Sequence, residues 1–242
     1  MIKSKEEPRI LIYDIESAGV NALNADLGYV ICFGYKWLGE KETHCISITD
    51  FSDFKKNPQN DKRVVKEALK ILNEADGIIA HYGNRFDRPY IAARALYHGL
   101  APFPDVQQLD PCYLAYKKFK LSSNRLVNIA KFLKCRNQKM NKDGTFWPDA
   151  WLSIMKGSTK NQKKMIAYCK QDVRTLEEIA VKMRPYWFPS FVNSLGYSHF
   201  DGTCPACGSD YLMKNGTRKN KNYTYQRMIC CDCATQFKGD KV

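Results

Sequence analysis

The segment that most constrains the fold is residues 9–16, with the sequence RILIYDIE. It is short, apolar and rich in β-branched and aromatic residues, so it predicts a buried strand rather than a helix. Residues two apart on a strand leave the same face, and Asp14 and Glu16 therefore project side by side. Two ionised carboxylates repel unless a cation balances them, and oxygen ligands favour Mg²⁺ or Mn²⁺. The simpler alternative is that both residues only mark the end of the strand.

The rest of the first 190 residues alternates between strand and helix patterns. Strands are predicted over residues 9–16, 28–37, 42–49 and 78–81, with a loop at 17–20. Helices are predicted over residues 62–74, 87–98, 110–119 and 126–133, in a short helix into which residues 147–149 lead, and over 159–184. Asp61, and Ser122 or Ser123, are expected to cap two of these helices. Pro185 and Pro189 are expected to end the last one before a linker at 190–199.

Two of these helices carry further acidic candidates. Asp87 is expected where a strand ends and a helix begins, although a carboxylate there is also favoured by the helix dipole alone. Tyr168 and Asp172 lie four residues apart on the long helix and therefore share a face. The alternative for this pair is placement on the surface.

In this order the motifs resemble those of the DEDDy branch of the DnaQ-like exonucleases, in the ribonuclease-H-like superfamily. Asp14-Ile15-Glu16 resembles the first motif of that family. Residues 86–91 (FDRPYI) resemble the second motif, in the form found in proofreading domains of B-family DNA polymerases. Residues 168–172 fit the third, Tyr-x-x-x-Asp. The resemblance implies an α/β domain over residues 1–190, with a ribonuclease-H-like mixed β-sheet flanked by helices.

The resemblance also implies an activity, namely metal-dependent 3′→5′ exonuclease cleavage of DNA or RNA that releases nucleoside monophosphates. In the family mechanism, Asp14, Glu16, Asp87 and Asp172 would hold two Mg²⁺ or Mn²⁺ ions. Tyr168 would orient the attacking water. These five are the expected catalytic residues.

The terminal nucleotide would be held by residues next to these motifs. Ser17, Tyr82 and Asn84 occupy positions that border this nucleotide in the family, and Phe86 belongs to the second motif. The chain departs from the family here, since many relatives have Thr-Gly after the Glu and an Asn a few residues before the Phe-Asp. Substrate preference depends on these positions, whereas the metal chemistry does not.

The charge of the chain favours a polyanionic partner. Lys and Arg number 38 against 25 Asp and Glu, a net charge of +13, which is typical of proteins that bind nucleic acid. Single-stranded DNA or a 3′ end is the expected ligand, and Arg136 and Lys139 in a basic segment are candidates for phosphate contacts. A charge that serves solubility alone is the alternative.

The last forty residues contain two Cys-x-x-Cys pairs, Cys204 with Cys207 and Cys230 with Cys233. This spacing predicts a structural Zn²⁺ site and a small zinc-ribbon domain over residues 199–242. The tail resembles the zinc ribbons of transposase-like and phage proteins. Two hairpin strands are expected around basic residues, and the candidates for nucleic-acid contact are Arg218, Lys219 and Lys221. Two disulfides are the alternative to zinc.

The sequence lacks an apolar run long enough to span a bilayer and an apolar signal-peptide core at its start. It therefore predicts no membrane partner and a cytoplasmic protein, in the host cell if a phage encodes it. Two competing functions stay open. One is a non-catalytic nucleic-acid-binding or regulatory zinc-ribbon protein on a nuclease fold, and the other is a structure-specific endonuclease.

Overall fold

The computed structural model describes residues 8–138, 147–195, 202–219 and 223–242. The backbone forms two compact units, Arg9–Ala180 and a second one that contains Val181–Val242. We call them the N-terminal unit and the C-terminal unit. The domain boundaries expected from the sequence, 1–190 and 199–242, stay a prediction.

The N-terminal unit is built on a five-stranded mixed sheet. Its strands are β1 (Ile10–Gly19), β2 (Gly28–Trp37), β3 (His44–Ser47), β4 (Gly77–Ile79) and β5 (Gln107–Leu109). They lie in the order β3-β2-β1-β4-β5. Neighbours among β1, β2 and β3 are antiparallel, whereas β4 is parallel to β1 and β5 is parallel to β4. The apolar segment at residues 9–16 thus lies in the central strand β1, as its composition predicts.

Helices flank this sheet, which confirms the predicted fold class. They are α1 (Lys62–Asn73), α2 (Asp87–Tyr97), α3 (Pro111–Lys118), α4 (Leu126–Phe132), α5 (Trp147–Met155) and α6 (Thr159–Lys182). Leu11 and Tyr13 on β1 are fully buried in a core that also includes Val65 of α1, Ile91 of α2 and Ile154 of α5. Among the helices of the described residues, none is both long and apolar enough to cross a lipid bilayer.

Besides β4, which covers Gly77–Ile79 rather than 78–81, and β5, which was not predicted, two strand boundaries differ from the prediction. Residues 17–19 are not a loop, because β1 continues to Gly19 and pairs with residues 28–30 of β2 after a register shift between Glu16 and Ser17. The third strand is shorter than expected and gives way to a 3₁₀ turn at Ile48–Asp50, where Ser47 forms a capping box with Asp50. Local pattern alone did not show either feature, since both depend on pairing and capping partners.

The expected cap of α1 is also wrong. Asp61 occupies the N-cap position, but its side chain makes no capping hydrogen bond. Its fully buried carboxylate instead pairs with Arg94, with N–O distances of 2.8 and 2.9 Å, and lies 2.6 Å from His98 Nε2. It also accepts a hydrogen bond from the backbone N–H of Val30 at 2.8 Å. Because a buried charge must stay paired, this carboxylate pairs with Arg94 and does not cap the helix.

The cap of α4 differs too, because its N-cap is Arg125 and no side chain caps it. Ser123 only accepts a hydrogen bond from the Arg125 backbone N–H, at 3.3 Å. By contrast, Asp110 opens α3 as predicted, and its carboxylate accepts from the backbone N–H groups of Cys112 and Tyr113.

The described residues of the C-terminal unit form a helix and a small antiparallel sheet. These are α7 (Arg184–Ser194) and the strands β6 (Leu212–Lys219), β7 (Thr224–Cys230) and β8 (Gln236–Lys241), in the order β6-β7-β8. The predicted hairpin is present, and β8 adds a strand that was not predicted. The long helix ends at Lys182, before Pro185 as predicted, but Pro189 lies within α7 and the predicted linker at 190–199 is helical up to Ser194. Pro185 lies in the first turn of α7, where proline is tolerated, and residues 196–199 are outside the described residues.

Candidate active site

Three acidic side chains from distant parts of the chain come together. Asp14 and Glu16 lie on β1, Asp172 lies on α6, and one carboxylate oxygen from each is within 4.8 Å of the others. Asp14 and Glu16 are half-buried, while only 2% of the surface of Asp172 is exposed. Such a group of carboxylates can bind divalent cations through oxygen.

Strand alternation and one glycine place these residues. Ile15 points into the core, so Asp14 and Glu16 leave the opposite face of β1. Gly34 is the partner of Asp14 on β2, and a Cβ there would lie 2.6 Å from the sulfur of Cys169. A glycine is therefore required for α6 to approach the sheet as closely as it does, and Asp172 is on this helix.

Asp87 supports the pair on β1 from the start of α2. One of its carboxylate oxygens accepts a hydrogen bond from the backbone N–H of Ile15 at 3.0 Å. Burial raises the pKa of Asp87 to about 7, against the lowering effect of the hydrogen bonds from backbone N–H groups, and the charge of Asp110 raises it further. Asp87 thus holds the residue between the two β1 carboxylates.

The four carboxylates line one cavity of about 630 Å³. Tyr82 and Phe86, two of the expected nucleic-acid contacts, line it as well. Sequence reasoning missed five further residues that line this cavity, namely Cys112, Asn124, Arg125, Leu126 and Val127. Residues 122–125 indicate only the start of a helix in the sequence, and nothing in their pattern places them beside an acidic cavity.

Asp110 holds the loop that carries Tyr82, one of the residues that line this cavity. The same carboxylate oxygen that caps α3 accepts a hydrogen bond from the backbone N–H of Tyr82 at 2.9 Å. Burial raises the pKa of Asp110, and its hydrogen bonds from backbone N–H groups act in the opposite direction. One carboxylate therefore joins the Tyr82 loop to α3.

Residues 11–184, the part from β1 to the start of α7, match the protein family described as RNase_H superfamily. The chain belongs to the RNase H superfamily. A comparison with curated protein sequences returned no match.

In a comparison with solved structures, 181 chains match. One is the family B DNA polymerase from the hyperthermophilic archaeon Pyrobaculum calidifontis, with a TM-score of 0.59 and 16% sequence identity. The match covers 90% of this chain and 32% of the polymerase chain, so this protein spans about a third of that structure's length. At this identity the likeness shows the fold alone.

The third motif is only partly at the cavity of this RNase H fold. Tyr168 is 7% exposed and lies one turn before Asp172 on α6. It is not one of the described residues that line the acidic cavity. Its role toward the attacking water stays a prediction.

The other expected nucleic-acid contacts are placed elsewhere on the RNase H fold. Ser17 lines a separate cavity of about 810 Å³, and its hydroxyl donates to the Ala22 carbonyl at 2.6 Å. Asn84 and Arg136 are exposed, and neither lines the acidic cavity. Lys139 and Lys221 lie outside the described residues.

Outside the region matched to the RNase H superfamily, four cysteines form a second ligand cluster. The sulfurs of Cys204, Cys207, Cys230 and Cys233 are all within 4.8 Å of one another, and two pairs are 3.6 Å apart. The cluster fits a zinc ribbon, with tetrahedral thiolate ligands.

We call the turn at each Cys-x-x-Cys pair of this cluster a knuckle turn, and both knuckle turns have the same backbone form. The N–H of Gly208 donates to the carbonyl of Cys204, and the N–H of Ala234 donates to that of Cys230. Gly208 and Ala234 both have positive φ, 78° and 59°. The expected nucleic-acid contacts Arg218 and Lys219 are exposed on β6.

Proposed function

We propose that this protein is a metal-dependent 3′→5′ exonuclease of the DEDDy type, which hydrolyses phosphodiester bonds of DNA or RNA to nucleoside monophosphates. The observation that carries the proposal is the convergence of Asp14, Glu16 and Asp172 within 4.8 Å. Carboxylates this close repel one another in a partly buried site unless cations balance their charge. Membership of the RNase H superfamily supports a nuclease, and the resemblance of the motifs supports the 3′→5′ direction.

The donor set fits Mg²⁺ or Mn²⁺. All of its atoms are carboxylate oxygens, which these hard cations prefer. Asp14, Glu16 and Asp172 would hold two such ions, with Asp87 as a further ligand or as the support of β1. When bound, the ions lower the pKa of water and offset negative charge on the phosphate.

The chain's own residues supply the remaining functions. Asp87 keeps Asp14 and Glu16 aligned through its hydrogen bond to Ile15 N–H. Arg125 brings a positive charge to the cavity wall, where it would pair with a phosphate of the substrate. The 52% exposed ring of Tyr82 and the ring of Phe86 offer faces on which bases would stack.

The remaining proposals concern the second domain and the partner. The domain over residues 199–242 would hold one structural Zn²⁺ through its four cysteines and contact nucleic acid through Arg218 and Lys219. The ligand would be single-stranded DNA or a 3′ end. We further propose a cytoplasmic location, in the host cell if a phage encodes the protein.

A cleavage assay with a matched control tests the activity. Single-stranded DNA, duplex DNA and RNA labelled at the 5′ end would be incubated with the wild type, Asp172→Asn and Asp105→Asn, in Mg²⁺, Mn²⁺ or EDTA. Asp172→Asn removes one charge from the cavity at nearly constant volume, whereas Asp105 is a fully exposed carboxylate on a loop. We expect a ladder of shortened products with the wild type and Asp105→Asn, and none with Asp172→Asn or with EDTA.

The pattern of products distinguishes the competing functions. Internal cuts without a ladder would indicate a structure-specific endonuclease. Tight binding without any cleavage in Mg²⁺ or Mn²⁺ would indicate a non-catalytic protein. A parallel substrate labelled at the 3′ end tests polarity, since only a 3′→5′ exonuclease releases the label at once as a mononucleotide.

A further inference from the structure

A second group of side chains beside the acidic cavity also has the chemistry of a metal site. Cys32 on β2, Cys45 on β3 and Cys169 on α6 each offer one sulfur, and the three sulfurs lie within 4.8 Å of one another. Cys32 and Cys169 are fully buried, and Cys45 is partly exposed. We call these residues the thiol cluster.

The register of the sheet builds this cluster. Glu16 pairs with Cys32, Asp14 pairs with Gly34, and Gly34 pairs in turn with Cys45. Paired residues on neighbouring strands project from the same face, so two of the cysteines share a face with the β1 carboxylates. The third, Cys169, reaches this face from α6 in the space that Gly34 leaves open. Its thiol donates to the backbone carbonyl of Asp14 at 4.0 Å.

We propose that the thiol cluster binds one thiophilic cation, of the class of Cu(I) or Zn²⁺, in a site separate from the four-cysteine cluster of the C-terminal unit. Sulfur ligands select soft or borderline cations over the hard ions that suit the nearby carboxylates. Three thiolates leave room for a trigonal Cu(I), or for Zn²⁺ with a water as its fourth ligand. The partly exposed Cys45 provides the side from which a cation enters and thiol protons leave.

Such a cation would join three elements at one point. Cys169 lies on α6 only three residues before Asp172, and its partners lie on β2 and β3. A bound ion would therefore fix α6 against the sheet next to the acidic cavity. The inference does not depend on nuclease activity, because the geometry of the three sulfurs is its only structural basis.

The competing explanation is packing alone. Buried cysteine behaves as a small apolar residue, and three of them fill a core without binding anything. Packing predicts that the whole chain takes up one thiophilic ion, in the four-cysteine cluster. The proposal predicts a second ion, and this difference is measurable without any nucleic acid.

The test is a Cd²⁺ titration of the reduced, metal-free full chain, followed by the ultraviolet absorption of Cd–thiolate bonds. We expect about two Cd²⁺ per chain for the wild type, one in each cluster. Cys45→Ser should lower this to about one, since it removes the least buried ligand of the thiol cluster. Cys231→Ser, which changes a cysteine outside both clusters, should leave about two.

Wild-type stoichiometry alone decides against the proposal if it stays below about two, so the test does not rely on a variant that folds. A second ion that persists in Cys45→Ser, or that is lost in Cys231→Ser, would overturn it as well. Circular dichroism of each variant checks that its fold is retained. A nuclease that cleaves normally but binds one Cd²⁺ would refute this inference and leave the proposed function standing.

Discussion

The N-terminal sheet and the C-terminal ribbon contain candidate metal sites on scaffolds of opposite kind. Leu11, Ile12 and Tyr13 of β1 are completely buried, whereas every residue of β6 is at least partly exposed. The first sheet is stabilised by its apolar core, so its acidic site is added to a scaffold that stands without metal. The ribbon is too short to fold by apolar burial, so its metal site would be the scaffold itself.

Removal of the proposed zinc ion should show this contrast most strongly. Cys230→Ser, or a strong zinc chelator, should unfold β6–β8 and leave β1 and β2 folded. Structural zinc contributes about 10–16 kcal/mol in zinc-finger peptides, far more than so small a sheet gains otherwise. Hydrogen exchange followed by mass spectrometry measures both regions in one sample. Cys231→Ser is the matched control, because Cys231 is outside the cluster, and it should retain protection in all three strands.

The buried carboxylate of Asp61 allows a test of the N-terminal unit. Asp61→Ala should lower the free energy of unfolding by about 3–5 kcal/mol, since it leaves the buried guanidinium of Arg94 without its partner. Glu74→Ala breaks an exposed ion pair with Arg9 and should cost less than about 1 kcal/mol. Urea denaturation gives both values. Equal losses would mean that the buried network contributes no more than a surface pair.

The acidic cavity should carry a cost that depends on pH. The pKa of Asp87 is about 7 in the folded chain and about 3.9 in an unfolded chain, so the folded state keeps a proton that the unfolded state has lost. Without added divalent cations, the free energy of unfolding should therefore fall as the pH rises from about 4 to about 7.

Asp87→Asn stays neutral and should escape this loss. We expect the difference in free energy of unfolding between the variant and the wild type to favour the variant by up to about 4 kcal/mol more at pH 8 than at pH 4. Its amide oxygen can still accept the Ile15 hydrogen bond. The exposed Asp105→Asn should follow the wild type at every pH. If Asp87→Asn and the wild type show parallel pH profiles in urea denaturation, the charge of Asp87 imposes no cost.

The smallest expected effect lies in the second knuckle turn of the ribbon. Ala234 has a φ of 59°, a conformation that glycine adopts without strain. Ala234→Gly should stabilise the zinc-loaded ribbon by about 0.5–1 kcal/mol, and Gly208→Ala in the first knuckle should destabilise it by a similar amount. Thermal unfolding of the zinc-loaded chain measures both. Changes of the same sign would show that factors other than φ dominate.

Local pattern predicted the central elements well and their partners poorly. Residues 28–37 carry enough β-branched and aromatic residues to give β2 its observed bounds. By contrast, the extension of β1 to Gly19 depends on its pairing with β2, and β8 contains charged residues without clear alternation. The same distinction applies to the active site, where the motifs indicated the carboxylates.

The residues that the sequence did not reveal are those defined by tertiary contacts. From the sequence, Asp61 is expected to cap a helix, and only the fold shows that it pairs with Arg94 of another helix. Arg125 follows shortly after an ordinary pair of serines in the sequence, and only the fold brings it to the cavity wall. The thiol cluster is scattered as single cysteines, which become neighbours through strand register and the approach of α6.

The acidic group has a consequence for how the protein is made. Asp172 is translated 156 residues after Glu16, so the third member follows the first two only after the strands and most of the helices of the N-terminal unit have been made. A nascent or truncated polypeptide therefore lacks the complete set of ligands. Under the proposed function, destructive activity toward the cell's own messages and chromosome would begin only once synthesis of the catalytic part is finished.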